Sequence, residues 1–249
     1  MILGNKLLFN KKNYDLIMYG CASVMSSKSV LEGVYSTLSI TEIKTFDIIG
    51  NDVFCELNII QQRTINNFGN VIPITSLFIS NPLLGIEGNC FKNNLSITDV
   101  NVVSTYIGGG VFYGCQNLKM DNVKIYNINS LSSSVFYNNK AGGTLYLPNV
   151  TTFNDYAINQ GGAATVGGFN INAPELITAG TYSMHSVNGS IYAPKLANLG
   201  DPSVNTYAFY GINSASILTV SSFLSTNNGG GEDADIAYVR SRGATIIFV

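Results

Sequence analysis

Apolar residues recur along this chain at positions one, three and six of successive units, and often again at position nine. The clearest copies lie between Gly143 and Gly200, where GTLYLPNVTTF precedes FNINAPELITAG and GSIYAPKLANLG. Apolar and polar residues alternate in the first part of each unit, which predicts a short strand with one buried face. Self-similarity at a nearly fixed period predicts that each unit is one turn of a coil, and that the coils stack.

Eight units carry the pattern between residues 38 and 225. Their first three apolar positions are Leu38-Ile40-Ile43, Ile72-Ile74-Leu77, Leu95-Ile97-Val100, Leu118-Met120-Val123, Leu145-Leu147-Val150, Ile171-Ala173-Leu176, Ile191-Ala193-Leu196 and Leu218-Val220-Phe223. The first two units start 34 residues apart, whereas later starts are 20 to 27 residues apart. We therefore expect an insertion around Asn58–Asn70, or a degenerate extra turn.

The second part of several units has its own signature, seen in Ile107-Gly-Gly-Gly-Val-Phe112 and Leu131-Ser-Ser-Ser-Val-Phe136. Small and polar residues let the chain turn back sharply, and the aromatic residue is expected to fill the interior of the coil.

The two ends depart from the repeat. We predict an N-terminal cap or docking segment over residues 1–36, a solenoid over 37–226 and a C-terminal cap over 227–249, because the end coils of a solenoid would otherwise expose core side chains. Within the last segment the sequence predicts a helix over 234–242, with acidic residues at its start, followed by Gly243 at its C-terminal cap. A final strand over 245–249 completes a right-handed strand–helix–strand unit.

Composition narrows the range of functions. Charged residues make up 11% of the 249 residues and hydrophobic residues 46%, which argues against disorder. The net charge is −2 and no basic stripe is present, so nucleic acid is not expected as a partner. No run approaches eighteen apolar residues, and MILGNKLLFNKKNYD lacks the features of a signal peptide, so we expect neither a membrane span nor a leader.

The repeat resembles the BspA-like leucine-rich repeats, whose unit is close to L-x-x-I-x-L-P-x-x-L-x-x-I-x-x-x-A-F-x-x-C. The best matches are LYLPNVTTFNDYAI, within Gly143–Ile158, and IGGGVFYGCQNL, at Ile107–Leu118. The likeness covers about residues 38–225. It implies a mainly β or α/β leucine-rich-repeat solenoid with short parallel strands, of the kind used for recognition on bacterial surfaces and in phage particles. Fold analogy alone supplies no activity.

Few residues suggest chemistry. Cys21, Cys55, Cys90 and Cys115 lack metal-ligand spacing and are interpreted as small buried thiols rather than disulfides or metal ligands. The single histidine, His185, stands near the position of the interior aromatic residue, which favours a structural role over a catalytic one.

Acidic residues offer two further candidate sites. Asp99 and Asp121 occupy nearly equivalent positions on successive units and could form a carboxylate pair for glycoside cleavage, although solvated residues beside turns are the simpler interpretation. Asp233 and Asp235 follow a glycine run, but too few oxygen ligands accompany them for calcium, so helix capping is preferred. We therefore predict no catalytic residue, cofactor site or metal site.

Tyrosines provide the candidate contact surface. Tyr146 and Tyr192 alternate with apolar residues on their strands and should face outward; Tyr126 and Tyr113 are further candidates, with Tyr137 and Tyr210 elsewhere on the surface. Exposed tyrosines anchor protein contacts or stack on sugars.

Three hypotheses of function follow. The first is a non-enzymatic virion component of a phage, namely a decoration, fibre or tail-associated protein that forms homo-oligomers and binds other virion proteins or a host surface protein or glycan. The second is a secreted bacterial surface adhesin, and the third is a polysaccharide-degrading solenoid.

Overall fold

The computed structural model describes residues 97–160, 168–200, 207–227 and 229–249, together with 88–89, 91–95 and several earlier strand segments. An eleven-stranded sheet runs the length of the described chain. Its strands, in spatial order, are Lys6–Asn10 (β1), Asp15–Tyr19 (β2), Thr37–Ile40 (β3), Ser76–Ile79 (β5), Asp99–Val103 (β7), Val123–Tyr126 (β9), Thr144–Tyr146 (β11), Asn170–Asn172 (β13), Ser190–Ala193 (β15), Ile217–Val220 (β17) and Thr245–Phe248 (β18). From β2 onward every neighbouring pair is parallel, while β1 and β2 form an antiparallel pair.

Short strands on a second side of the coils form two smaller parallel sheets. One contains Ile59–Ile60 (β4), Gly85–Ile86 (β6) and Tyr106–Ile107 (β8); the other contains Ser130–Leu131 (β10), Thr152–Phe153 (β12), Thr178–Ala179 (β14) and Asn198–Leu199 (β16). Each coil from β3 to β16 thus contributes one strand to the large sheet and one to a small sheet, which confirms the predicted solenoid of short parallel strands.

In three units the strand of the large sheet lies later in the unit than predicted. The residues in register with Leu38 are Leu77, Val100 and Val123, not Ile72, Leu95 and Leu118. The third apolar residue of these units is therefore the first inward residue of the strand, where alternations such as Val100-Asn-Val102 begin. Leu95 is 55% exposed, and the predicted position of Phe223 is also wrong, since a short 3-10 helix at Ser222–Ser225 buries Leu224 instead.

In the later units the strand of the large sheet lies where the sequence predicted it. Leu145, Ile171, Ile191 and Leu218 lie in register across β11, β13, β15 and β17. Strand β3 pairs directly with β5, so the long first interval adds no strand to the large sheet between them. The proposed insertion itself lies mostly outside the described residues, as do Cys21, Cys55 and Cys90.

Stacked phenylalanines fill part of the interior. Phe91, Phe112 and Phe136 are fully buried, and their ring centroids are 5.8 and 5.6 Å apart along the coil axis. This arrangement confirms that the aromatic residue of the turn signature points inward.

The C-terminal unit has the predicted order. Helix α1 spans Ala234–Ser241, and Asp233 caps it by accepting a hydrogen bond from the Asp235 N–H. Gly243 follows in the left-handed conformation (φ +81°), and β18 then pairs parallel with β17. Within the described residues, no helix is both long and apolar enough to cross a membrane. The capping roles of the two end segments and the domain boundaries stay predictions.

Candidate functional site

The third side of each coil is a short turn that bonds to the next coil through the main chain. In one coil the N–H groups of Gly110, Phe112 and Gly114 donate to carbonyls of the following coil over 3.0, 3.0 and 2.8 Å. The same spacing recurs from coil to coil, so the backbone polar groups are satisfied along the axis. The turn side chains therefore determine what this surface can bind.

Most of these turns begin and end at a residue with a positive φ, and the two residues lie four positions apart. Glycine or asparagine suits such positions, as at Gly110, Gly114 and Asn138, but Tyr156 (φ 57°) and Tyr182 (φ 51°) also occupy them. A bulky residue in this conformation costs about 1–2 kcal/mol, so the surrounding contacts must hold the two tyrosines in place.

A column of side chains runs along this turn side, one residue after each interior residue. Its members are Lys92, Tyr113, Tyr137, Asn159, His185 and Tyr210, and Tyr238 of α1 continues it. The Tyr113 and Tyr137 rings stack at 4.6 Å, and the Lys92 Nζ lies 4.6 Å from the centroid of the Tyr113 ring. Both faces of the Tyr113 ring and one face of the Tyr137 ring are thus occupied by neighbouring side chains.

An aromatic cluster forms where a second column, three residues earlier in each coil, meets the first. It comprises Tyr156, Tyr182, His185, Tyr207, Tyr210 and Tyr238. Tyr182 contacts Tyr156 at 5.2 Å and Tyr210 at 5.4 Å, and Tyr207 stacks on Tyr238 at 4.4 Å. Sequence reasoning missed Tyr156, Tyr182, Tyr207 and Tyr238; the available signal was a tyrosine recurring three residues before the column position.

The outward side of β11, β13, β15 and β17 forms a second candidate surface, here called the sheet face. It comprises Thr144, Tyr146, Asn170, Asn172, Ser190, Tyr192, Ile217 and Thr219, none of which is charged. Tyr146 and Tyr192 are 50% and 46% exposed and flank Asn172 in register. Their predicted outward orientation is confirmed; Tyr126 is exposed beside the sheet face on β9, whereas Tyr113 belongs to the turn column.

The two surfaces differ in how their rings are used. Within the described residues neither Tyr146 nor Tyr192 has an aromatic neighbour, and two strand spacings place them about 10 Å apart. These two half-exposed rings therefore stack on no other ring among the described residues, in contrast to the mutually packed rings of the turn side.

Comparison with protein families gives a match to the BspA type leucine-rich repeat region, in six copies over residues 32–162. This span covers 131 of the 249 residues, which is more than half. The chain belongs to the BspA-type leucine-rich repeat family. Comparison with curated proteins and with solved structures returned no match. Membership in the BspA-type family favours a non-enzymatic, protein-interacting scaffold. The exposed side chains on the repeated parallel strands agree with this.

The one histidine of this BspA-type chain belongs to the outer column, because Met184 holds the interior position. Its Nδ1 lies 2.7 Å from the Asn159 Oδ1, an acceptor, so Nδ1 carries the proton in the neutral ring. Burial lowers the pKa of His185. The structural interpretation of this histidine is therefore supported.

The expected carboxylate pair is not aligned between coils. Asp99 lies in register with position 122 rather than with Asp121, because a 3-10 helix at Met120–Asn122 precedes the strand β9. The Asp121 Oδ1 accepts from the Thr144 N–H at 2.8 Å, and the Asp99 Oδ2 accepts from the Thr98 hydroxyl at 2.8 Å. The two carboxylates thus have separate local partners, and glycoside cleavage receives no support from them.

Asp235 ends the main-chain ladder of the turn side. Its Oδ1 accepts from the Phe209 N–H at 3.5 Å, and the Tyr238 hydroxyl accepts from the Gly211 N–H at 3.2 Å. In earlier coils the equivalent N–H groups donate to carbonyls of the next coil. Burial raises the pKa of Asp235 to about 7, with a smaller contribution from the nearby Asp233 charge.

No group of three or more potential metal ligands occurs in the part of the chain that the structure describes. Cys115 is a buried free thiol, as predicted; its Sγ donates to the Phe91 carbonyl at 3.0 Å, and burial raises its pKa to about 12. A thiol with so high a pKa is a poor nucleophile and a poor metal ligand at neutral pH.

Proposed function

We propose that this chain is a non-enzymatic recognition protein that binds another protein through the sheet face. The observation that carries the proposal is the uncharged outward surface of four neighbouring strands, with two tyrosines that are 50% and 46% exposed. The centres of protein interfaces are depleted in charged residues and enriched in tyrosine.

The shape of this surface favours a macromolecule over a small ligand. Side chains stand side by side on strands about 4.8 Å apart, which makes a broad surface. Small molecules bind instead in concave pockets that bury most of their area.

The finer part of the proposal places this contact on a phage particle, where the chain would act as a decoration, fibre or tail-associated protein. The sequence resemblance to repeats found in phage particles supports it. Identical copies in a homo-oligomer would gain avidity from weak individual contacts with other virion proteins or with a host surface protein or glycan.

Binding of the purified chain to virions of a phage mutant that lacks this gene tests both the location on the particle and the role of the sheet face. The wild-type chain should sediment with the particles, and a Tyr146→Ala/Tyr192→Ala double variant should bind about 30-fold more weakly, since an interface hot spot contributes about 2 kcal/mol or more. Tyr137→Ala is the matched control, because it removes a tyrosine from the turn side and should leave binding unchanged.

Two outcomes would contradict the proposal, each in a different part. A wild-type chain that does not sediment with the virions would exclude the contact with the phage particle. Equal binding by the wild-type chain and the double variant would exclude the sheet face as the contact surface.

A further inference from the structure

The last strand of the large sheet leaves the apolar interior incompletely covered. Leu218 and Val220 on β17 are fully buried, whereas Ile246 and Phe248, which lie in register with them on β18, are only half-buried against the same core. The core of a solenoid ends safely only where a polar-faced element lies over it. Strand β18 therefore leaves part of this core accessible in the described structure.

The outward side of this strand is apolar as well. Ile247 and Val249 are 46% and 56% exposed. Exposed Phe223 lies beside them, because the Ser222 N–H donates to the Val249 carbonyl at 2.8 Å. Apolar side chains are thus accessible on both sides of β18.

The main chain of β18 also has unused hydrogen-bonding capacity. The N–H groups of Thr245 and Val249 donate to Ser216 and Val220, both at 3.0 Å. Because these groups alternate in direction along a strand, those of Ile246 and Phe248 point to the opposite edge. Strand β17 is the one neighbour of β18 within the described residues.

This edge lacks the usual protection against pairing. Natural edge strands carry charges, prolines or bulges that prevent another strand from adding to them. Residues 244–249, ATIIFV, contain neither a charge nor a proline.

We propose that β18 pairs antiparallel with β18 of a second copy of this chain, about a twofold axis at Ile247. Ile246 of each copy then lies opposite Phe248 of the other, and each of these two pairs exchanges two main-chain hydrogen bonds. The two Ile247 residues form a non-hydrogen-bonded pair, with Cα atoms about 4.5 Å apart. This dimer is independent of the sheet-face contact proposed above.

A second copy suits this edge better than an unrelated strand. Any strand could satisfy the hydrogen bonds, but a second copy also brings its own half-buried Ile246 and Phe248, so that one contact covers two incomplete ends. No charged side chain lies between Gly243 and Val249, so the symmetric approach brings no like-charged side chains of this segment together.

Sedimentation equilibrium on the full chain tests the dimer. The wild-type chain should be dimeric, and Ile247→Lys, which places two charges at the twofold axis, should raise the dimer Kd about 100-fold. Asn101→Lys is the matched control, since position 101 lies in the same register row six strands inward, outside both the proposed dimer contact and the sheet face. Circular dichroism should show the same fold in all three proteins.

Disulfide trapping tests the register and does not depend on the folding of the lysine variant. Ile247→Cys should cross-link two chains under mild oxidation, because its symmetric pair has the Cα separation of a disulfide. Thr245→Cys should not, since position 245 lies opposite Val249 of the other copy; the wild-type chain controls for the native cysteines.

A wild-type chain that is monomeric up to about 0.1 mM would overturn the proposal. So would a dimer that persists undiminished in Ile247→Lys, or cross-linking of Thr245→Cys as fast as that of Ile247→Cys.

Discussion

Replacing Asp235 by asparagine should remove one specific pH dependence of stability. Asp235 is only 1% exposed, and its Oδ1 accepts the hydrogen bond of the last coil from the Phe209 N–H. Asparagine keeps the shape and an acceptor oxygen but cannot ionise. The Asp235→Asn variant therefore isolates the contribution of the buried charge.

The direction of the change in stability with pH follows from the folded-state and unfolded-state pKa values of Asp235. Burial raises the pKa of Asp235 from 3.8 to about 7 in the folded chain, so the native state binds more protons than the unfolded state between these values. The contribution of Asp235 to the free energy of unfolding should then fall as the pH rises from about 4 to about 7, and level off above. A difference of roughly three pKa units corresponds to about 4 kcal/mol.

Urea unfolding followed by circular dichroism measures this effect across the same pH range. The two proteins should have similar stability near pH 4, and Asp235→Asn should become the more stable by about 4 kcal/mol above pH 7. Asp99→Asn is the matched control, because it makes the same substitution at an exposed aspartate and should not reproduce the effect. Parallel pH profiles for wild type and Asp235→Asn would refute the reasoning.

Three further predictions concern the coils. Phe112→Ala should lower the free energy of unfolding by about 3–5 kcal/mol in urea titrations, because it removes the middle ring of the buried stack. Ser134→Gly should raise the melting temperature slightly by relieving a left-handed serine, whereas Gly110→Ser, at the equivalent position one coil earlier, should lower it because a Cβ there would meet the Asn89 side chain. Cys115 should resist alkylation at pH 8 in the folded chain and react after denaturation, as mass spectrometry of the labelled peptides can show.

The sequence was sufficient to predict the coil, its parallel strands and the terminal helix. Alternation between buried and exposed residues is a local property, and it persists in β15 as Ser190-Ile-Tyr-Ala193. The helix was equally local, because Asp233 caps it and Gly243 ends it within one short segment.

In three coils the position of the strand within the unit was not predictable from the same pattern. In Leu118-Lys-Met120-Asp-Asn-Val123 the apolar spacing fits a strand starting at either end. The structure starts the strand at Val123, since Met120–Asn122 forms a 3-10 helix whose bonds to neighbouring coils cannot be read from one unit alone.

The side-chain contacts on the turn side could not be predicted from the sequence either. Tyr182 meets Tyr156 and Tyr210 across 26 and 28 residues, and coil lengths vary, so spacing alone does not bring these rings together. The same holds for Asp235, whose partner Phe209 is 26 residues away.

Stacking of one coil per strand step is the central claim, and electron–electron distance measurements between spin labels test it most directly. With native cysteines replaced and doubly labelled chains diluted into unlabelled protein, a label at position 101 is paired in turn with one at 172, 192 or 219, which lie in one register row three, four and five strands away. Stacked coils predict separations of about 14, 19 and 24 Å, rising by one strand spacing at each step. Distances that fail to increase in this order would contradict the solenoid.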